Sequence, residues 1–229
     1  MTEIERAASA EFDRWAEAGR GESMERGHAG VVEPVLDRWN LNDHSVLVDV
    51  GCGNGWAVRR ALERGAGRCL GVDLSAAFIE EARGAGLGEF HVASGSALPL
   101  ADGVATHVLS VESLYYYPDP QAALAEWRRI AAPRCELGVI IELFAENRGS
   151  AVWAEVLDIH AWLWSEVRWA EVARAAGWSR VRTERILQPG PLKSEAEFTV
   201  SAYWPSYQHY LDYRSAGALA ILGVRGDTP

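Results

Sequence analysis

The stretch Val46-Leu47-Val48-Asp49-Val50-Gly51-Cys52-Gly53-Asn54-Gly55-Trp56 constrains this chain more than any other. Its apolar, β-branched start suits a strand buried on both faces. Three glycines follow at alternate positions, and from residue 55 the pattern turns helical. A buried strand that passes through a glycine loop into a helix is the opening unit of a parallel α/β sheet. The bare Cα atoms and free N–H groups of such a loop let a nucleotide-like ligand approach the main chain closely.

The pattern then repeats. Strand 46–50 leads to helix 55–64, stopped by Gly65 and Gly67. Strand 69–72 leads through Asp73-Leu74-Ser75 to helix 76–84, with Ser75 as its N-cap. Strands 89–92, 106–111 and 137–143 and helix 120–131 complete the series. Ahead of it, Ile4, Ala8, Phe12, Trp15 and Ala16 mark an amphipathic helix over 3–20, and a second helical region, 24–39, is limited or kinked by Pro34. Behind it, helices 150–164 and 166–176 and strands 181–187 and 218–225 are expected, with an aromatic stretch from Tyr203 to Tyr213 between the two strands.

Charge narrows the partners. The net charge is −10, and no segment forms the basic face that a phosphate backbone requires. No window reaches the ~18–20 apolar residues of a membrane span. Residues 1–20 carry five acids and no apolar core, unlike a secretory signal. Cys52, Cys69 and Cys135 are odd in number and widely spaced, which argues against a disulfide framework or a metal site and fits a reducing cytoplasm.

The loop itself narrows the ligand. A dinucleotide site needs G-x-G-x-x-G, but Trp56 stands where the last glycine should be. Asp49, just before the loop, would repel a pyrophosphate and would favour a ligand that carries an ammonium. S-adenosylmethionine carries an ammonium and a sulfonium and no phosphate. Asp73 at the next strand end can accept ribose hydroxyls from either kind of ligand.

With these pieces the chain resembles the class I S-adenosylmethionine-dependent methyltransferases, especially the small-molecule branch similar to ubiquinone, menaquinone and sterol methyltransferases. The matching segments are Val48–Gly55, Gly71–Ser75, Ala93–Leu100, and Val108–Ser110 through Tyr117-Pro118-Asp119. The resemblance implies a Rossmann-like, doubly wound, mostly parallel seven-stranded sheet with a terminal antiparallel strand (218–225) and a helical, aromatic-rich cap. It implies S-adenosylmethionine as cofactor and S-adenosylhomocysteine as product. Gly51 and Gly53 would pack under the methionine part, with Cys52 and Val111 beside it and Asp49 supporting its ammonium. Asp73 would bind the ribose and Leu74 would cover the adenine. Family members often place an acid where Ser96 stands, so here Ser96 Oγ or the Ala97 backbone is expected to meet the adenine amino group.

The implied domain plan is an N-terminal helical cap, 1–44, and a methyltransferase domain, 45–229, with cap insertions at about 145–164 and 188–217. Glu112, Tyr116 and Tyr117 lie on the loop after strand 106–111, and with Trp204 and Tyr207 they are the expected substrate contacts. Glu112, Tyr116, Tyr117 and His209 are the catalytic candidates, with His28 and His160 as further possible bases and Arg20 a candidate partner for the methionine carboxylate. Glu112 could equally be a solvated loop acid. The aromatic cap suits a small planar or apolar acceptor and permits a homodimer. Two other readings stay open: a non-catalytic S-adenosylmethionine-binding subunit or regulator, and a nicotinamide-dependent oxidoreductase.

Overall fold

The computed structural model describes residues 1–226. Strands β1 (Val46–Val50), β2 (Arg68–Asp73), β3 (Glu89–Val92), β4 (Ala105–Val111), β5 (Ala131–Ile141), β6 (Ser179–Ile186) and β7 (Ala218–Val224) form one sheet in the order β3-β2-β1-β4-β5-β7-β6. Neighbours from β3 to β5 are parallel. β7 runs antiparallel to both β5 and β6. The antiparallel strand is therefore the last along the chain but sits one place in from the edge. β6 takes the edge position, where Arg182 and Glu184 pair at 3.0 Å; charged residues on an edge discourage further strand pairing.

Helices α1 (Glu3–Glu17), α2 (Gly21–Arg38), α3 (Trp56–Glu63), α4 (Ala76–Gly84), α5 (Pro120–Ile130), α6 (Arg148–Ala151), α7 (Trp153–Val156), α8 (Glu166–Ala175) and α9 (Tyr207–Ala216) surround the sheet. Side chains of successive strand residues point to opposite faces, and two apolar layers result. Val48, Val50, Val72, Val108 and Val139 meet Leu124, Trp127 and Trp169 on one face. Leu47, Leu109 and Ile140 meet Val31, Val35, Leu36 and Val58 on the other. The second half of α2 belongs to this second layer, while α1 and the start of α2 lie over the carboxyl ends of the strands. α2 also runs through Pro34 as one helix.

The helix starts follow local chemistry. Thr2 and Glu5 form a reciprocal capping box on α1. Ser75 caps α4 by accepting from Phe78 N. Asp119 caps α5, whose first residue is Pro120.

One expectation fails beyond β5. Residues 150–164 do not form one helix. After α6 and α7 the chain runs extended, because Trp162 N donates to Tyr115 O at 2.8 Å and Ala145 N donates to Trp164 O at 2.9 Å. His160, Trp162 and Trp164 then pack ring against ring in sequence, the first pair edge-on and the second tilted, with centroids 4.6 and 4.8 Å apart. The aromatic stretch at 203–213 is largely the helix α9, started by Ser206, whose Oγ accepts from His209 N. α6 and α9 pack backbone to backbone: a Cβ on Gly149 would lie 2.2 Å from His209 O and 2.3 Å from Tyr213 N.

Candidate active site

The carboxyl ends of β1, β2, β4 and β5 meet under α1 and the start of α2, and three adjoining cavities open there. Parallel sheets place their ligands at this edge. The glycine loop is pinned by Gly51 N and Cys52 N, which donate to Val72 O at 2.8 and 3.1 Å. Gly51 has φ +80°, and a Cβ there would strike the Ser113 side chain at 2.4 Å. Only glycine fits this crossing.

A cleft of about 600 Å³ holds Gly51, Gly53, Asp73, Leu74, Val111 and Tyr117 on its sheet side and Glu5, Ala8 and Phe12 of α1 on the other. Asp73 is fixed by two main-chain donors, Gly53 N on Oδ2 at 2.8 Å and Ser75 N on Oδ1 at 2.9 Å. Burial raises its pKa, and those backbone donors offset part of the rise.

A smaller cavity beside the loop is lined by Asp49, Cys52, Gly53, Met24 and His28. Asp49 is 2% exposed, and its Oδ1 has no hydrogen-bond donor. Burial, with the Asp73 charge adding to it, pushes this carboxyl up to about 8. A buried acceptor without a donor is rare and costly. An ammonium is the chemistry that would satisfy it.

The third cavity is a larger, open chamber of about 1100 Å³, walled by Trp15, Tyr116, Trp153, Tyr203, Trp204 and Tyr213. Trp153 stands edge-on to Trp204 at 5.2 Å, and Trp204 meets Tyr213 at 4.6 Å. Glu112, Met24 and Tyr116 line both the first cleft and this chamber.

Glu112 adopts φ +52°, a left-handed conformation that is strained for a residue with a side chain. Its Oε1 accepts from Glu142 N at 2.5 Å and its Oε2 from the Tyr115 hydroxyl at 2.8 Å. Burial, and then the nearby Glu142, lift its carboxyl to about 7, with His28 pulling the other way. Glu142 is 1% exposed and accepts from the Tyr213 hydroxyl at 2.7 Å and Gln188 Nε2 at 2.5 Å. His28 Nδ1 lies 3.1 Å from Glu142 Oε2, close but poorly aligned for a hydrogen bond. Burial would lower the His28 pKa, but the facing Glu142 and Glu112 carboxylates outweigh it and lift the imidazole to about 9. The donor atoms of His28, Glu112 and Glu142 all lie within 4.8 Å of one another, a set that could also ring a cation. The sequence reading, which expected no metal, did not foresee this convergence of residues from α2, the loop after β4 and the end of β5.

Asp49, Gly51, Cys52, Gly53, Asp73, Leu74, Val111, Glu112, Tyr116, Tyr117 and Trp204 all come to these cavities. Ser96 and Ala97 do not line them; their amides close a turn on Ser94 Oγ and Ser94 O. Tyr207 donates to Lys193 O at 2.7 Å, and His209 pairs with Ser206 Oγ at 2.7 Å, both outside the chamber lining. His160 packs on Trp162, and Arg20 lies over the Trp15 ring at the chamber wall rather than in the first cleft.

Residues 48–138 match the model of a methyltransferase domain family. The chain is 31% identical to the protein assigned as a methyltransferase in a Haloferax volcanii complex with the Trm112 methyltransferase activator. That superposition has a TM-score of 0.85 and covers 94% of this chain and 98% of the other. An S-adenosylmethionine-dependent methyltransferase from Mesorhizobium loti shares the fold at 19% identity, with a TM-score of 0.63 over 85% of this chain and 98% of that one. The geranyl diphosphate C-methyltransferase of Streptomyces coelicolor A3(2) shares it at 15% identity, with a TM-score of 0.62 over 82% of this chain and 74% of that one.

Proposed function

This chain belongs to the class I S-adenosylmethionine-dependent methyltransferases, and on that premise we propose that it methylates a small, planar or apolar molecule held in the aromatic chamber. The observation behind this reading is Glu112: its carboxylate stands on the wall shared by the cofactor cleft and the chamber. In this proposal residues 1–44 are an N-terminal helical cap, in which α1 and the start of α2 do the covering, and residues 45–229 are the catalytic domain. Its insertions at about 145–164 and 188–217 supply the chamber.

S-adenosylmethionine, when bound, supplies a methyl group on a sulfonium, already a good leaving group. The residues then have three tasks. Asp49 Oδ1 receives the ammonium, Gly51 and Gly53 let the methionine part close on the backbone, Asp73 accepts the ribose hydroxyls, and Leu74 covers the base. Trp153, Trp204, Tyr116 and Tyr213 would surround the acceptor, exclude water and orient its nucleophilic O, N or C toward the cofactor cleft. Glu112 takes the proton that the acceptor gives up; a carboxyl held near 7 is poised for this at neutral pH. Burial, with Glu142 and His28 acting in opposite directions, keeps Glu112 in that range.

The test is incubation with methyl-labelled S-adenosylmethionine and a metabolite extract, followed by fractionation by size. Label in a small molecule supports the reading; label confined to protein, or none even with an activator present, overturns it. The assay is run with and without a chelator; label that vanishes with chelator and returns with a divalent cation would make His28, Glu112 and Glu142 cation ligands instead. Because the Haloferax relative was found with an activator, a silent chain is assayed again with an activator of that kind. We also place the enzyme in the cytoplasm, in keeping with three buried, free cysteines.

A further inference from the structure

The end of the cleft beyond Asp73 lacks an acid on its sheet side. A base whose ribose was held on Asp73, at the end of β2, would meet the wall formed by Leu74, Phe78 and α1, next to the loop after β3. There the loop after β3 reads Ala93-Ser94-Gly95-Ser96-Ala97. The carboxylate found at this place comes from α1. Glu5 lines the cleft although only 6% of its surface is exposed. The Ser94 hydroxyl donates to its Oε1 at 2.5 Å, and Thr2 N donates to its Oε2 at 2.7 Å. Ser94 Oγ itself accepts from Ser96 N at 3.0 Å, so the serine is aimed at Glu5 by its own loop. Ala8, Leu74 and Phe78 make the surrounding wall apolar. A carboxylate offers about four acceptor sites, and these bonds occupy two of them.

We propose that Glu5 accepts a hydrogen bond from the exocyclic amino group of the cofactor's adenine, so that α1, and not the sheet, reads the identity of the base. The inference rests on the methyltransferase reading above. An ionised carboxylate accepts and cannot donate. It therefore favours an edge that presents an N–H donor and opposes one that presents a carbonyl oxygen. Burial raises the Glu5 pKa, but the hydrogen bonds from Ser94 and Thr2 outweigh it and hold the carboxyl below its ordinary value, so the group is ionised at neutral pH. Leu74 and Phe78 supply apolar contact for the ring, and Ser9 Oγ, donating to Leu74 O at 3.1 Å, keeps α1 in register with that contact.

The experiment is titration calorimetry of the full chain with S-adenosylhomocysteine and with S-inosylhomocysteine, which has a carbonyl in place of the amino group. Wild type is expected to prefer the amino form by on the order of 10–100-fold. In Glu5→Gln, whose amide both donates and accepts, the preference is expected to fall within about threefold; Glu5→Ala should do the same. Thr2→Ala removes the capping hydroxyl and keeps the carboxylate, so it should weaken both ligands together and leave their ratio unchanged. A wild type that binds both ligands equally, or glutamate variants that keep the wild-type ratio, would overturn the role of Glu5. A wild type that binds neither would instead overturn the methyltransferase reading itself.

Discussion

Asp49 and Asp73 stand at the ends of neighbouring strands but are satisfied differently, and they should answer to different experiments. Asp73 already accepts from Gly53 N and Ser75 N. Asp73→Ala removes both the proposed ribose acceptor and the anchor of the glycine loop, and should weaken S-adenosylhomocysteine binding by roughly 10²–10³-fold in calorimetry. Asp49 has an empty buried oxygen and a carboxyl raised to about 8. An ammonium favours its ionised form, so ligand binding at about pH 7 should expel close to one proton. Calorimetry in buffers of different ionisation enthalpy should detect that proton, and Asp49→Asn should abolish it. The sign extends to the unliganded fold: a raised acid destabilises the native state as pH climbs from its ordinary value of 3.8 toward 8. His28, lifted from 6.5 to about 9, contributes stability that is complete below 6.5 and is lost as pH rises through 9. Glu112→Gln should lower kcat by about 10²–10⁴-fold and remove the rising limb of the pH–rate profile near 7, with S-adenosylhomocysteine affinity nearly unchanged. Asp49 and Asp73 were legible because each ends an apolar run beside a glycine loop or a helix cap. Glu5, His28 and Glu142 were not singled out together because only the topology brings α1 to the loop after β3, and α2 to the end of β5.

At the scale of elements, legibility followed periodicity. Strands β1, β2 and β4 are short, mostly apolar and largely buried on both faces, and their bounds fall within a residue or two of those read from the sequence. Beyond β5 aromatic residues obscure the period. His160, Trp162 and Trp164 recur every second residue, which is strand spacing, yet they sit among residues that favour helices. Tyr207, Tyr210 and Tyr213 recur every third residue, which is helical spacing, and Pro205 two residues upstream hid it. Their partners decide the outcome: Trp162 Nε1 donates to Tyr117 O at 3.0 Å, holding the first run flat against the loop after β4. The α6–α9 contact gives a direct test. Gly149→Ala pushes a methyl group into the α9 backbone and should destabilise the fold by about 1–3 kcal/mol, read as a lower Tm. S-adenosylhomocysteine affinity should survive, because neither α6 nor α9 lines the cofactor cleft.

Over the whole molecule, α1 is the element on which the cleft and the chamber converge. Among the described residues its polar ties to the sheet domain run through its side chains: Asp13 Oδ1 accepts from Ser75 Oγ at 2.6 Å and from Ala77 N at 3.1 Å, Ser9 donates to Leu74 O, and Ser94 donates to Glu5. Hydrogen exchange over residues 3–17 should therefore be fast in the free protein and slow several-fold when S-adenosylhomocysteine is bound, while β1 and β4 stay protected in both states. Phe12 faces both the cleft and the chamber, packing edge-on against Tyr116 at 5.1 Å. On the proposed reading the methylated acceptor and the nucleoside by-product would both leave past Phe12, so that release is expected to limit turnover, and rapid mixing should reveal a burst of one product per chain before a slower steady rate.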